Sequence, residues 1–161
     1  MKRIKKTNAA RKLDELKLIY RLVEYPVDED HLDAVHVANS VGMPASQVFK
    51  TLVVRGDKTG IMFAVIPGDE ELDLKAMAKI SGNKRVEMVH LKEMLPLTGY
   101  IRGGCSPIGA KKNYPVYLDN TALNWCEIAI SAGQRGMQIV ATPDVVQKAT
   151  NAILVSLIMP K

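Results

Sequence analysis

The sequence predicts an α+β fold: a mixed, largely antiparallel sheet partly curled into a barrel, with helices around it. Three observations carry this expectation. Two β-rich runs, Thr51 to Arg55 and Ile61 to Ile66, are joined by Gly56-Asp57-Lys58-Thr59-Gly60, which is a hairpin pattern. Strand-like and helix-like segments interleave without a regular βαβ rhythm. Hairpin connections outnumber crossovers, as in antiparallel sheets that roll up to hide their edges.

Taken in order, Ala9, Ala10, Leu13, Leu16 and Ile19 recur at helical spacing, so Thr7 to Leu18 is expected to be an amphipathic helix with Thr7 as N-cap. Tyr20 to Tyr25 reads as a strand that Pro26 ends. The acidic stretch Val27 to Leu32 reads as a loop. Ala34 to Val41 is a short helix stopped by Gly42, and Pro44 to Val48 one more helical turn delivering the chain into Lys50. After the hairpin, Leu72 to Ile80 is helical with Asp73 as N-cap, closed by Ser81-Gly82-Asn83. Arg85 to Val89 is a strand, and Leu91 to Leu95 a helix ended by Pro96. Three short strands follow at Val116 to Asp119, Glu127 to Ser131 and Gln138 to Ala141, with turns at Asn120 to Asn124 and Gly133 to Gly136. Thr142 caps a final helix that starts at Pro143 and reaches Thr150. Ile153 to Met159 is apolar enough for a last strand or docking segment.

The 161 residues fit one domain, residues 1–161, with enough chain to bury a core. No apolar run reaches membrane-spanning length, and the basic start Met1 to Lys6 leads into a charged amphipathic segment, so the expected location is cytoplasmic with no membrane partner. Two cysteines, Cys105 and Cys126, without a CxxC pair or a suitably spaced histidine, indicate neither a disulfide framework nor a metal site. The formal charge of +5 favours polyanionic partners, and a solvated basic surface reads equally well.

The stretch Thr98 to Lys112 is the main site candidate. It holds Gly99, Gly103, Gly104 and Gly109, and glycines let a backbone approach a bound group closely. A plain surface loop is the competing reading. The endings of a P-loop or a dinucleotide-binding fingerprint are missing, which argues against nucleotide hydrolysis. Ser106 lies outside any Gly-x-Ser-x-Gly elbow. His31, His36 and His90 pair with no nucleophile and read as structural or solvated. Lys50, at the mouth of the apolar run Leu52-Val53-Val54, reads as a solvated edge charge on pattern alone. Cys105, flanked by glycine and serine, is a candidate thiolate activated by Arg102 or Lys50, yet it lacks a base.

Five segments taken together, Phe49-Lys50-Thr51-Leu52-Val53, Glu71 to Lys75, Lys84 to Met88, Leu97 to Gly109 and Ser131-Ala132-Gly133-Gln134-Arg135-Gly136, resemble the YbaK/EbsC family, free-standing relatives of the editing domain of bacterial prolyl-tRNA synthetases. The resemblance covers nearly the whole chain in order. It implies a trans-editing deacylase that removes cysteine from Cys-tRNA(Pro) and also from Cys-tRNA(Cys), without cofactor or metal. The substrate's own thiol then attacks its ester, a lyase-type cleavage. The resemblance implies catalytic roles for Lys50, Gly103 and Ser131, and substrate contacts from Tyr25, Thr51, Gly104, Ser106 and Gln138. Tyr25 falls where the family holds the tRNA end. Gln138 stands where some relatives carry an acid, and an amide cannot act as a base. The implied partners are the aminoacyl-tRNA 3′ end and prolyl-tRNA synthetase. The alternatives are an Ala-tRNA(Pro) deacylase and an inactive tRNA- or synthetase-binding module.

Overall fold

The computed structural model describes residues 6–160, so nearly all of the basic run at 1–6 lies outside it. Helix α1 (Asn8–Glu15) starts as its cap requires: the Thr7 hydroxyl accepts from the Ala10 amide at 3.3 Å. Its apolar stripe, Ala9, Ala10 and Leu13, is buried. Strand β1 (Arg21–Glu24) follows, then α2 (Ala34–Val41), capped by Asp33 and stopped by Gly42 at φ 73°. Where a helical turn was expected at Pro44 to Val48, only one turn bond forms, from the Gln47 amide to the Pro44 carbonyl. The reason is long-range: Gly68 donates its amide to the Ala45 and Val48 carbonyls, and Val48 pairs with Ala129.

The hairpin is longer than its sequence signal. Strands β2 (Phe49–Gly56) and β3 (Gly60–Pro67) pair antiparallel over their whole length, with Lys50 opposite Ile66 and Thr51 opposite Val65. Gly60 takes the left-handed turn position at φ 79°. The Asn83 carboxamide oxygen accepts from the Lys58 and Thr59 amides at 2.8 and 3.0 Å and so holds the hairpin tip. Helix α3 (Leu74–Ser81), capped by Asp73, leads through Gly82 to β4 (Val86–Met88).

Helix α4 (Leu91–Thr98) runs past Pro96 and stops at Gly99, φ 82°. Proline costs this helix one amide, yet its last carbonyls find other donors: the Thr98 hydroxyl donates to Met94 at 2.7 Å and the Tyr114 hydroxyl to Leu97 at 2.6 Å. Strands β5 (Val116–Asp119), β6 (Ile128–Ser131) and β7 (Met137–Ala141), helix α5 (Pro143–Thr150) and strand β8 (Ile153–Val155) complete the chain. The tail beyond β8 is strapped down: Leu157 is fully buried, its amide donates to Asp119 at 2.8 Å, and its carbonyl accepts from Asp73.

These strands form two sheets, one ordered β4-β2-β3-β5-β8 and one ordered β1-β7-β6. Only β3–β5 and β5–β8 are parallel, so the mixed and largely antiparallel character matches the expectation. The partial barrel does not: the sheets touch through the single Val48–Ala129 bridge and do not close. Past that bridge β2 leaves β6 and takes β4 as its partner at Val54 to Gly56, so the sheets part beside Lys50 and Thr51. The alternation along β3 shows why that strand is apolar throughout: Phe63 and Val65 join one core, Met62, Ala64 and Ile66 the other, against Met77 of α3.

Candidate functional site

The gap between the sheets is a cavity of about 510 Å³. Strand β2 supplies Lys50 and Thr51 from one side. Ser131 at the end of β6 and Gln138 on β7 supply the other, and they are direct cross-strand partners. Gly103, on the glycine-rich loop, forms a third wall. The remaining surface is largely apolar and includes Val53, Val89, Leu91 and Met94. Five of the eight residues singled out from the sequence thus meet here, brought from segments as far apart as residues 50 and 138.

Lys50 is half-buried, and its ammonium donates one hydrogen bond, to the Gly68 carbonyl at 3.3 Å. Burial lowers its pKa, while the field of Asp69 and Glu71 works the other way. An ammonium carries three donors, so this one keeps capacity to bind an anionic or carbonyl oxygen. It is no solvated edge charge: the strand that carries it opens onto the cavity, not onto solvent.

Across the gap, the Ser131 hydroxyl accepts from the Gly133 amide at 3.2 Å, leaving its own hydrogen to donate. The side-chain oxygens of Thr51 and Gln138 are buried and have no hydrogen-bond partner. Buried polar atoms are almost always paired, because an unpaired one costs about 1–3 kcal/mol. Two such atoms on one cavity wall are acceptors waiting for donors from a bound molecule.

The glycine-rich loop is held by its own contacts. The Tyr100 hydroxyl donates to the Ile108 carbonyl at 2.6 Å, and the Ile108 amide donates to the Ser106 hydroxyl at 3.2 Å. Ser106 is fully buried and braces the loop; neither it nor Gly104 is among the residues lining the cavity. A side chain on Gly104 would come within 3.2 Å of the Gln134–Arg135 backbone, so that glycine lets two loops pack together. Gly103 alone of the pair faces the opening, with φ 83°. Cys105 lines the cavity but is buried, and burial pushes its thiol up to about 12, so it stays protonated near neutral pH.

Tyr25 lies outside this cavity, in an adjoining recess that shares Leu32, Val37 and Gly103 with it. The same recess collects His31 and His36, which sequence pattern left as structural or solvated, and Arg135 from the Ser131 motif. Nothing in their sequence spacing marks the histidines as neighbours of a site. Among the described residues no group of three or more histidine, cysteine or carboxylate side chains could hold a metal, and no helix is long and apolar enough to cross a membrane.

Known proteins share this architecture and sequence. The aminoacyl-tRNA editing domain matches residues 28–149. An Enterococcus faecalis protein provisionally named Cys-tRNA(Pro)/Cys-tRNA(Cys) deacylase EbsC is 53% identical over 146 residues, 91% of this chain and 89% of that protein. The proline–tRNA ligase of Shouchella clausii is 30% identical over 103 residues, covering 64% of this chain but 18% of the ligase. A crystal structure described provisionally as a trans-editing enzyme for prolyl tRNA synthetase matches with a TM-score of 0.79 at 28% identity, over 88% of this chain and 87% of the other. The match spans both sheets and every wall of the cavity, and the chain therefore belongs to the aminoacyl-tRNA editing domain family.

Proposed function

We propose that the protein is an aminoacyl-tRNA deacylase that releases cysteine from Cys-tRNA(Pro), and from Cys-tRNA(Cys), by a lyase-type step in which the substrate thiol is the nucleophile. One observation carries this reading: Lys50, Gly103, Ser131 and the unpaired oxygens of Thr51 and Gln138 converge on one cavity. The family membership and the EbsC relative support the substrate class.

Each group has a task that its chemistry suits. Lys50 holds the ribose or phosphate oxygens next to the ester through charge-assisted hydrogen bonds. The Gly104 amide is already donated to the Ile101 carbonyl at 2.9 Å, so the backbone donor for the ester oxygen is that of Gly103, with the Ser131 hydroxyl beside it. The Gln138 and Thr51 oxygens accept from the substrate's α-ammonium. Gln138 serves here as an acceptor, a task an amide performs as well as an acid and one that needs no base.

The substrate sulfur attacks its own carbonyl carbon, a C–S bond forms and the C–O bond to the tRNA breaks. The thiol proton ends on the departing 3′ oxygen, and water opens the small thiolactone to free cysteine. Holding thiol and carbonyl in register supplies several kcal/mol of the barrier reduction. The protonated Cys105 takes no part. Prolyl-tRNA synthetase is the partner proposed to select tRNA(Pro).

The test is incubation with Cys-tRNA(Pro), Ala-tRNA(Pro) and Ser-tRNA(Pro). Loss of cysteine alone is the expected result. Loss of alanine alone identifies an Ala-tRNA(Pro) deacylase instead, and binding without any loss identifies an inactive module.

A further inference from the structure

The recess beyond Gly103 is a second built pocket, of about 250 Å³, walled by Tyr25, His31, His36, Asn39, Ser40 and Arg135. The two imidazoles lie with ring centroids 4.4 Å apart, tilted by 30°. Each is oriented by a carboxylate: His31 Nδ1 lies 2.7 Å from Asp28 and His36 Nδ1 2.5 Å from Asp33. A carboxylate accepts only, so Nδ1 carries the hydrogen and Nε2 of each neutral ring is an acceptor. The same contacts hold the Asp28 carboxyl below the usual range, the histidine hydrogen bond being the largest cause.

Charge selects the kind of ligand. Asp28 lines the recess and Asp33 stands behind His36, two negative groups against one guanidinium. The Nε of that guanidinium is already donated to the Arg102 carbonyl at 2.8 Å. A phosphate would meet net negative charge. A neutral, flat heterocycle would meet aromatic and guanidinium faces to stack on, with imidazole, amide and hydroxyl groups at its edge.

We infer that this recess binds a purine nucleobase, the terminal adenine of the tRNA 3′ end, by stacking on Tyr25, His31, His36 or Arg135 and by edge contacts to Asn39 and Ser40. The inference rests on the reading that the first cavity takes the acyl group, because Gly103, Leu32 and Val37 form the shared rim that a single nucleoside would straddle.

Titration of the labelled protein by amide NMR tests it with three probes: the trinucleotide CCA, the same trinucleotide with its last base removed, and adenosine alone. The expected result is that CCA shifts the amides of Leu32, Val37, Asn39 and Ser40, and that removal of the base weakens binding roughly 5- to 100-fold, the range for stacking one base. His36→Ala and Asn39→Ala, both at exposed positions, are expected to weaken CCA but not the base-less probe, and to raise KM for Cys-tRNA more than they lower kcat. Equal affinity for CCA and the base-less probe overturns the inference, as does adenosine binding more tightly than CCA, which would mark a free-nucleoside site. A protein that releases no cysteine yet still tells CCA from the base-less probe refutes the deacylase reading while the base pocket stands.

Discussion

Two recesses meet at Gly103, and they are made of opposite materials. The larger is an opening between sheets, apolar except for Lys50 and a few polar atoms that lack partners. The smaller lies beside α2 and is rich in groups that already hold one another: His31 with Asp28, His36 with Asp33, Arg135 with the Arg102 carbonyl. The unsatisfied recess is the reactive one, because a buried donor or acceptor without a partner is strengthened by the low dielectric around it. The satisfied recess is a surface for recognition. Chemistry and strand binding are thereby separated by one glycine.

Substitutions on either side of that glycine sharpen or break this division. Lys50→Ala is expected to have the largest effect, a loss of deacylation on the order of 10²–10³-fold, the usual cost of removing one charge-stabilising donor. A single-turnover assay measures it, and retention of more than a tenth of the rate would place the reactive charge elsewhere. Gln138→Ala removes an acceptor for the substrate ammonium and is expected to lower kcat/KM by roughly 10- to 100-fold, since hydrogen bonds to charged groups are worth about 1.5–3 kcal/mol. The same change leaves binding of the base-less trinucleotide intact if the recesses are separate, which a competition titration reads directly.

Gly103→Ala is next. Its left-handed backbone costs an alanine about 1–2 kcal/mol, and the new methyl would sit 3.4 Å from the Leu32 side chain. Thermal unfolding should fall by a few degrees and the affinities of both recesses should drop together; a drop in one alone would show that Gly103 belongs to that recess only. Cys105→Ala is expected to keep most of the activity, within about twofold, and to lose roughly 1 kcal/mol of stability on denaturation. Strong inactivation would return Cys105 to the list of nucleophiles and defeat the substrate-thiol step.

The smallest effect is that of pH on the scaffold. The Arg55 side chain and the His90 amide hold Glu93 below its ordinary 4.5, and the Arg85 and Lys84 amides hold Asp57 below its ordinary 3.8. Groups depressed in the folded state stabilise it above their unfolded values and lose that contribution as pH falls through the folded ones. The melting temperature should therefore be flat from about pH 7 to 5 and fall below about pH 4. A rise on acidification would contradict the assignment.

Local chemistry was legible in the sequence, and distant pairing was not. Thr7, Asp33, Asp73 and Thr142 cap helices where their side chains predict, because a cap needs only the next three residues. Pro96 misled, since the hydroxyls of Thr98 and Tyr114 that rescue the end of α4 come partly from another segment. Pro44 to Val48 misled for the same reason, its carbonyls being claimed by Gly68. Barrel closure depends on whether β2 stays beside β6 beyond Val48, and no local pattern states that. The reactive recess was legible through the family resemblance, residue by residue, and its unpaired oxygens became visible only in three dimensions. The smaller recess was hidden because His31 and His36 gain meaning from folding an acidic loop against α2 and bringing Arg135 to them.

The central claim is that the protein supplies position and charge while the substrate supplies the nucleophile. Cys-tRNA(Pro) and its S-methylcysteinyl counterpart, offered side by side to the unmodified protein, test this most directly. Release of cysteine with the S-methyl ester left intact is the predicted result, and release of both at similar rates would contradict it.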